Sequence, residues 1–229
     1  MKKVRIGVVG CGGIANGKHL PAQKRNPASE LVAFCDLIEE RAVKAQKEFG
    51  EKDSAVYTDY KELLKDKSID AVLVLTPNCS HCEITVAALE AGKHVLCEKP
   101  MATTLADCER MVSAAKKSGK RLMIDQNQRL AGAHVKAREL IEQGEIGRVI
   151  TFATAFRHGG PETWSIDPGQ ITWFFDKKRA AMGAMADLGV HKTDLIQYLI
   201  GQTVDEVEAQ LCTLDKKFSD GSPITVDDN

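Results

Sequence analysis

The chain has 229 residues, 43% hydrophobic and 28% charged, enough to bury a core as one large domain or two modest ones. Lys and Arg number 31 against 32 Asp and Glu, a balance that removes the electrostatic reason to expect nucleic acid or an anionic membrane as partner. Seven scattered cysteines fit reduced thiols better than a disulfide framework, and the apolar run Ile6 to Val9 is too short for a signal or membrane segment, so a cytoplasmic protein with a small, weakly charged ligand is expected.

In chain order, a strand is predicted over Val4 to Val9, followed at once by Gly10-Cys11-Gly12-Gly13-Ile14-Ala15 and a presumed helix. Further strands are predicted at Leu31 to Cys35, Ala55 to Tyr57, Ala71 to Leu75, His94 to Cys97 and Arg121 to Ile124. The runs at 4–9 and 71–75 are apolar throughout, as strands covered on both faces require. Between them, Asp59-x-x-Glu62 and Ser80-x-x-Glu83 read as capping boxes, and Gly92 stands where a helix ending at Ala91 needs a left-handed residue. A helix over 105–118 closes at Gly119. Strands alternating with amphipathic helices predict a doubly wound parallel α/β sheet of the Rossmann kind in residues 1–124.

Past residue 125 the pattern changes. A helix is expected over 135–143 ending at Gly144, then a strand over 148–156, a turn-rich loop over 157–181, a helix over 183–200 closed by Gly201, and a half-buried strand over 206–213. The loop, with Arg157, His158, Trp164, Trp173 and Arg179, is expected to shape specificity. Residues 125–229 therefore read as an unfinished second unit.

The glycine string is a dinucleotide fingerprint in its proper context of strand, turn and helix. Gly10 permits the tight turn, Gly12 and Gly13 let backbone approach a pyrophosphate, and Ile14 and Ala15 open a helix whose N-terminus attracts the anion, Ala15 being small enough for close packing. Asp36, 21 residues after Ala15, would accept bonds from ribose hydroxyls. No Arg or Lys directly follows it to receive a 2′-phosphate, so NAD is expected rather than NADP. Cys79-x-x-Cys82 lacks a second ligand pair at zinc spacing, and no metal is expected.

Thr76-Pro77-Asn78 with His81, then Ala91-Gly92-Lys93-His94-Val95-Leu96-Cys97-Glu98-Lys99-Pro100, and Asp187-x-Gly189-x-His191-x-x-Asp194, resemble in this order the glucose-fructose oxidoreductase/inositol dehydrogenase/rhizopine catabolism (Gfo/Idh/MocA) oxidoreductase family. The resemblance implies an NAD-dependent enzyme acting on a sugar or polyol. It also implies that residues 125–229 are a partial α+β substrate and oligomerisation domain with an open, largely antiparallel sheet. Thr76, Pro77, Asn78, His81, Glu98 and Lys99 would belong to the cofactor site, with Lys99 also touching substrate and the Lys99-Pro100 peptide cis. His191 would be the general base, a role its ordinary pKa of about 6.5 suits, Asp187 would be part of the same catalytic set, and Asp194 would orient or buttress. Two other readings share the fold: a regulatory sensor binding NAD(P) without turnover, and a glycosidase using NAD transiently.

Two departures stand out. The family commonly has a glycine-rich stretch where this chain has Ala181-Met182-Gly183, and its second domain usually runs for about another hundred residues, so the sequence reads as a fragment. Its open sheet would leave apolar surface exposed and self-associate; a homodimer or homotetramer is expected for the intact protein.

Overall fold

Strands covered on both faces must carry apolar side chains on alternate sides, and the central strands do so. The computed structural model describes residues 2–229. Six strands, β1 (Val4–Val9), β2 (Ser29–Cys35), β3 (Ala55–Tyr57), β4 (Ala71–Val74), β5 (His94–Cys97) and β6 (Leu122–Ile124), form one sheet in the order β3-β2-β1-β4-β5-β6. Every pairing is parallel. The order reverses between β1 and β4, and at such a switch point the strand ends open a crevice for ligands.

Two apolar layers sandwich this sheet. On one side, Leu20 of α1 (Leu20–Arg25) and Ala42, Ala45 and Phe49 of α2 (Glu39–Phe49) meet Ile6, Val8, Phe34 and Leu73. On the other, Leu63 of α3 (Tyr60–Lys65), Leu89 of α4 (His81–Glu90) and Met111 of α5 (Leu105–Ser118) meet Val72, Val74 and Val95. Successive residues of β4 thus enter opposite layers, which is the physical content of its fully apolar sequence. Lys93 is buried as well, its ammonium donating to the Asp66 and Ile69 carbonyls at 2.6 and 2.9 Å and so tying down the chain just past α3.

Helix ends follow the sequence in part. Gly92 and Gly119 take positive φ of 78° and 66° as expected. Asp59 caps α3 through the Lys61 N–H at 2.8 Å, but Glu62 turns away to Lys65. Ser80 makes no cap: its hydroxyl lies 2.7 Å from Thr76 Oγ1, and Glu83 instead accepts from the Tyr60 hydroxyl. A nearer hydroxyl outcompetes the helix N-terminus.

The chain divides into two compact units, the first running through Asp125 and including Trp164–Ile166, the second holding Gln126–Thr163 and Asp167–Asn229. In the second, α6 (Gly132–Glu142) packs on α8 (Val190–Ile200), with the short α7 (Lys177–Ala180) between them in sequence. Phe175, Ile224 and Val226 form a small core. The strands expected over 148–156 and 206–213 are not formed; the one bridge in this unit among the described residues joins Lys217 and Pro223. Alternation supplies a face, but a strand also needs a neighbour for its N–H and C=O groups. Without one, Ile150 and Val207 remain 85% and 75% exposed. Among the described residues no helix is long and apolar enough to cross a membrane.

Candidate functional site

In the first unit the glycine loop is pinned at both sides. Gly10 donates to the Cys35 carbonyl at 2.8 Å, takes φ +96°, and has the Leu75 carbonyl oxygen only 2.5 Å from where a Cβ would stand. Gly12 and Gly13 differ: an added Cβ would meet nothing nearer than 3.8 Å, the neighbour being Ile166 in each case. The fold therefore demands glycine at 10, whereas at 12 and 13 it leaves a cradle that a side chain would fill. This is the fit expected for a dinucleotide pyrophosphate.

Asn16, which the sequence reading passed over, organises that cradle. Its side-chain amide donates to the carbonyls of Cys11 and Gly12 at 2.7 and 2.8 Å. In a trans peptide C=O and N–H point oppositely, so the Gly12 and Gly13 N–H groups face away from Asn16, as an anion-binding turn needs. Ile14 is 42% exposed at the helix mouth and Ala15 is buried against the sheet. The helix begins as a π-helical turn, Ala15–His19, before becoming α1. Asp36 accepts from the Cys11 N–H at 2.8 Å and the Ile38 N–H at 2.9 Å, one bond per oxygen. Each oxygen keeps a second lone pair for a ribose hydroxyl.

The loops following β4 and β5 are clamped together by His81. This ring is fully buried, with Nδ1 2.8 Å from the Pro100 carbonyl and Nε2 2.8 Å from that of Thr76; burial holds its pKa below the ordinary value despite those two carbonyls. It can influence a ligand only through the loops it joins. Thr76, Pro77 and buried Asn78 lie on the first of these loops, and Glu98 and Lys99 on the second. The Lys99-Pro100 peptide is cis. Glu98 is almost wholly buried, one oxygen 2.7 Å from His19 Nε2 and the other accepting the Lys99 N–H at 3.0 Å.

In the second unit, α8 is preceded by another π-helical turn, Met185–Gly189, which carries Asp187. Such turns are rare and frequent at functional sites. The sequence put Asp187, His191 and Asp194 on one α-helical face; the structure gives the two aspartates different partners. Asp187 lies 3.1 Å from His158 Nε2 and lines a cavity of about 80 Å³ with His158, Phe174 and Asp227. Asp194 is held by Arg129 through two hydrogen bonds, one of 2.7 Å. His191 is buried, with its ring 5.8 Å from that of Phe156.

The departure at Ala181-Met182-Gly183 acquires a structural meaning. Asp227 caps this turn by accepting from the N–H groups of Gly183 and Met185 at 2.7 Å each, and a Cβ on Gly183 would run into the Asp227 carbonyl. Ala181 takes φ 70° and ψ −54°, a conformation rare and strained for a residue with a Cβ. Replacing Ala181 by Gly should thus raise stability by about 1–2 kcal/mol, the cost of holding an L side chain in such a region. Denaturant unfolding of the two proteins checks this; an unchanged or lower midpoint would mean the turn is not strained in solution.

A family model described as an oxidoreductase family with NAD-binding Rossmann fold, GFO_IDH_MocA, matches residues 4–126, and the GFO/IDH/MocA C-terminal domain model matches 134–229. The chain belongs to the GFO/IDH/MocA oxidoreductase family. Its first unit is an NAD-binding Rossmann domain. Levoglucosan dehydrogenase of Pseudarthrobacter phenanthrenivorans is 33% identical over 211 residues, covering 88% of this chain and 52% of that protein. Myo-inositol 2-dehydrogenase of Thermotoga maritima is 32% identical over 219 residues, covering 96% and 58%. A levoglucosan dehydrogenase solved with NADH and levoglucosan superposes with a TM-score of 0.82 at 28% identity, covering 99% of this chain and 62% of that one. The chain thus spans little more than half the length of these relatives.

Proposed function

We propose that the chain is part of an NAD-dependent sugar or polyol dehydrogenase. The observation that carries this is the cradle at the β1–β4 switch point, with Gly10 demanded by the fold, Gly12 and Gly13 left open and Asp36 at the end of β2. Relatives named for oxidising levoglucosan and myo-inositol supply the substrate class. Bound NAD would supply the hydride acceptor.

The chain's own residues do the rest. The N–H groups of Gly12 and Gly13 and the first helical turn, at Ile14 and Ala15, bind the pyrophosphate, and Asp36 takes the ribose diol. Thr76, Pro77, Asn78, Glu98 and Lys99 line the nicotinamide side, with His81 fixing the two loops they occupy. His191 removes the proton from the reacting hydroxyl, Lys99 stabilises the developing alkoxide, and Asp187, steadied by His158, orients the substrate. The seven free thiols favour a reducing, cytoplasmic setting, and a homodimer or homotetramer is the assembly we assign to the intact protein.

Screening the protein against polyols and aldoses for NADH formation tests this reading. Tight NAD binding with no turnover on any of them would make the chain a sensor instead. On the cofactor, Asp36→Ser should weaken NAD and narrow its advantage over NADP, because the carboxylate bonds a diol and repels a 2′-phosphate. Calorimetric titration of both cofactors decides it; tighter NADP binding by the unmodified protein would show the carboxylate misassigned.

A further inference from the structure

The sequence reading gave His19 no task, yet its imidazole is held between two carboxylates. It ends the π-helical turn after the glycine loop, and its Nε2 lies 2.7 Å from Glu98 and 3.5 Å from Asp125, all three side chains at most 14% exposed. The opposite oxygen of Glu98 accepts the backbone N–H of Lys99 at 3.0 Å. A continuous chain of contacts therefore runs from the helix that opens at the glycine loop to the residue assigned to the substrate.

We propose that His19 is a positioning residue: its imidazole fixes the Glu98 carboxylate, which holds the Lys99 backbone and so aims the Lys99 ammonium at the substrate. This rests on the dehydrogenase reading for what Lys99 does, though not for how Lys99 is held. The electrostatics support it. Buried Glu98 and partly buried Asp125 lie on either side of the imidazole, and charging two carboxylates this close together is costly. Burial would push Glu98 upward, yet the hydrogen bond and charge of His19, with Lys99, hold its carboxyl below the usual range; Asp125, with burial and Glu98 against it, sits above. His81, itself bound to two carbonyls, and the buried Cys97 thiol also face Glu98. The carboxylate that His19 holds at 2.7 Å is thus the one that accepts the Lys99 N–H.

Two measurements on the intact protein test this. The first needs no turnover: the Lys99 backbone amide resonance, followed against pH, reports the ionisation of the carboxylate it donates to. Removing the imidazole by His19→Ala should move that inflection upward by about one pH unit or more; an unmoved inflection overturns the proposal. The second is kinetic. His19→Ala should lower kcat and raise KM for the polyol by about 10–100-fold combined, the usual effect of a slightly misplaced group. The same substitution in a Lys99→Met background should cost almost nothing further, since the two act as one unit. Full additivity of the two losses overturns the proposal as well. If His19→Ala does not fold, His19→Gln keeps a neutral donor near the same atom, and its amide inflection must still move upward. Should the unmodified protein turn over no polyol or aldose, the dehydrogenase reading fails while the amide titration still decides the role of His19.

Discussion

Replacing His191 by Ala should lower turnover by about 10² to 10⁴, the usual contribution of a general base, while NAD affinity stays within a few-fold of the unmodified protein. The separation is expected because the groups assigned to the pyrophosphate and ribose, Gly10 to Ala15 and Asp36, are in the other unit and do not include His191. Its ring is 7% exposed and packs 5.8 Å from the Phe156 ring, so truncation also opens a void. His191→Asn separates the two effects: it keeps a polar group of similar reach but cannot exchange a proton at neutral pH. Steady-state NADH formation and calorimetric titration with NAD, run on both variants, give the answer. Full activity in His191→Asn would sink the assignment and shift attention to the nearby Asp187–His158 pair.

What the sequence could and could not disclose follows from the range of the forces involved. The run Ala71 to Leu75 reads as a doubly covered strand because each residue reports its own burial, and Val72 and Leu73 do enter opposite layers. Gly10 was legible for the same reason: a turn with positive φ that also brings the Leu75 carbonyl this close favours glycine. Ser80 was misread because a capping box is a competition, and the sequence does not say that Thr76 lies 2.7 Å away. The π-helical turns at 15–19 and 185–189 left no mark, since an inserted residue changes hydrogen bonding without changing composition. The strands expected at 148–156 and 206–213 did not form and their apolar residues stay largely exposed, because alternation in the sequence supplies only one partner of a ladder. Within the site, Asp36 sits at a fixed offset from the glycines and was found. Asn16 acts on the backbone of the glycine loop and His19 on the Glu98 side chain, contacts that the spacing of residues in the sequence does not disclose.

Gly10→Ala and Gly12→Ala should fail in opposite ways, and the contrast tests the cofactor assignment most directly. At position 10 a methyl group would stand 2.5 Å from the Leu75 oxygen and 2.7 Å from its carbon, at φ +96°. Neither side can yield easily, because the Gly10 N–H is bonded to Cys35 at the end of β2 while the Leu75 N–H is bonded to Val9 across β1. Adding the left-handed penalty to the overpacking, Gly10→Ala should lose about 2–5 kcal/mol of stability, and with it the shape of the loop and most NAD affinity. At position 12 the φ is ordinary and the nearest atom to a new methyl is Ile166 Cγ2 at 3.9 Å, so stability should change by less than about 0.5 kcal/mol. NAD affinity should nevertheless fall by about tenfold or more, because the methyl occupies the space through which the backbone meets the pyrophosphate. Thermal unfolding and NAD titration of the two variants side by side separate fold from ligand. If Gly12→Ala binds NAD as well as the unmodified protein does, the pyrophosphate does not lie over this turn, and the dinucleotide must be placed elsewhere along the crevice.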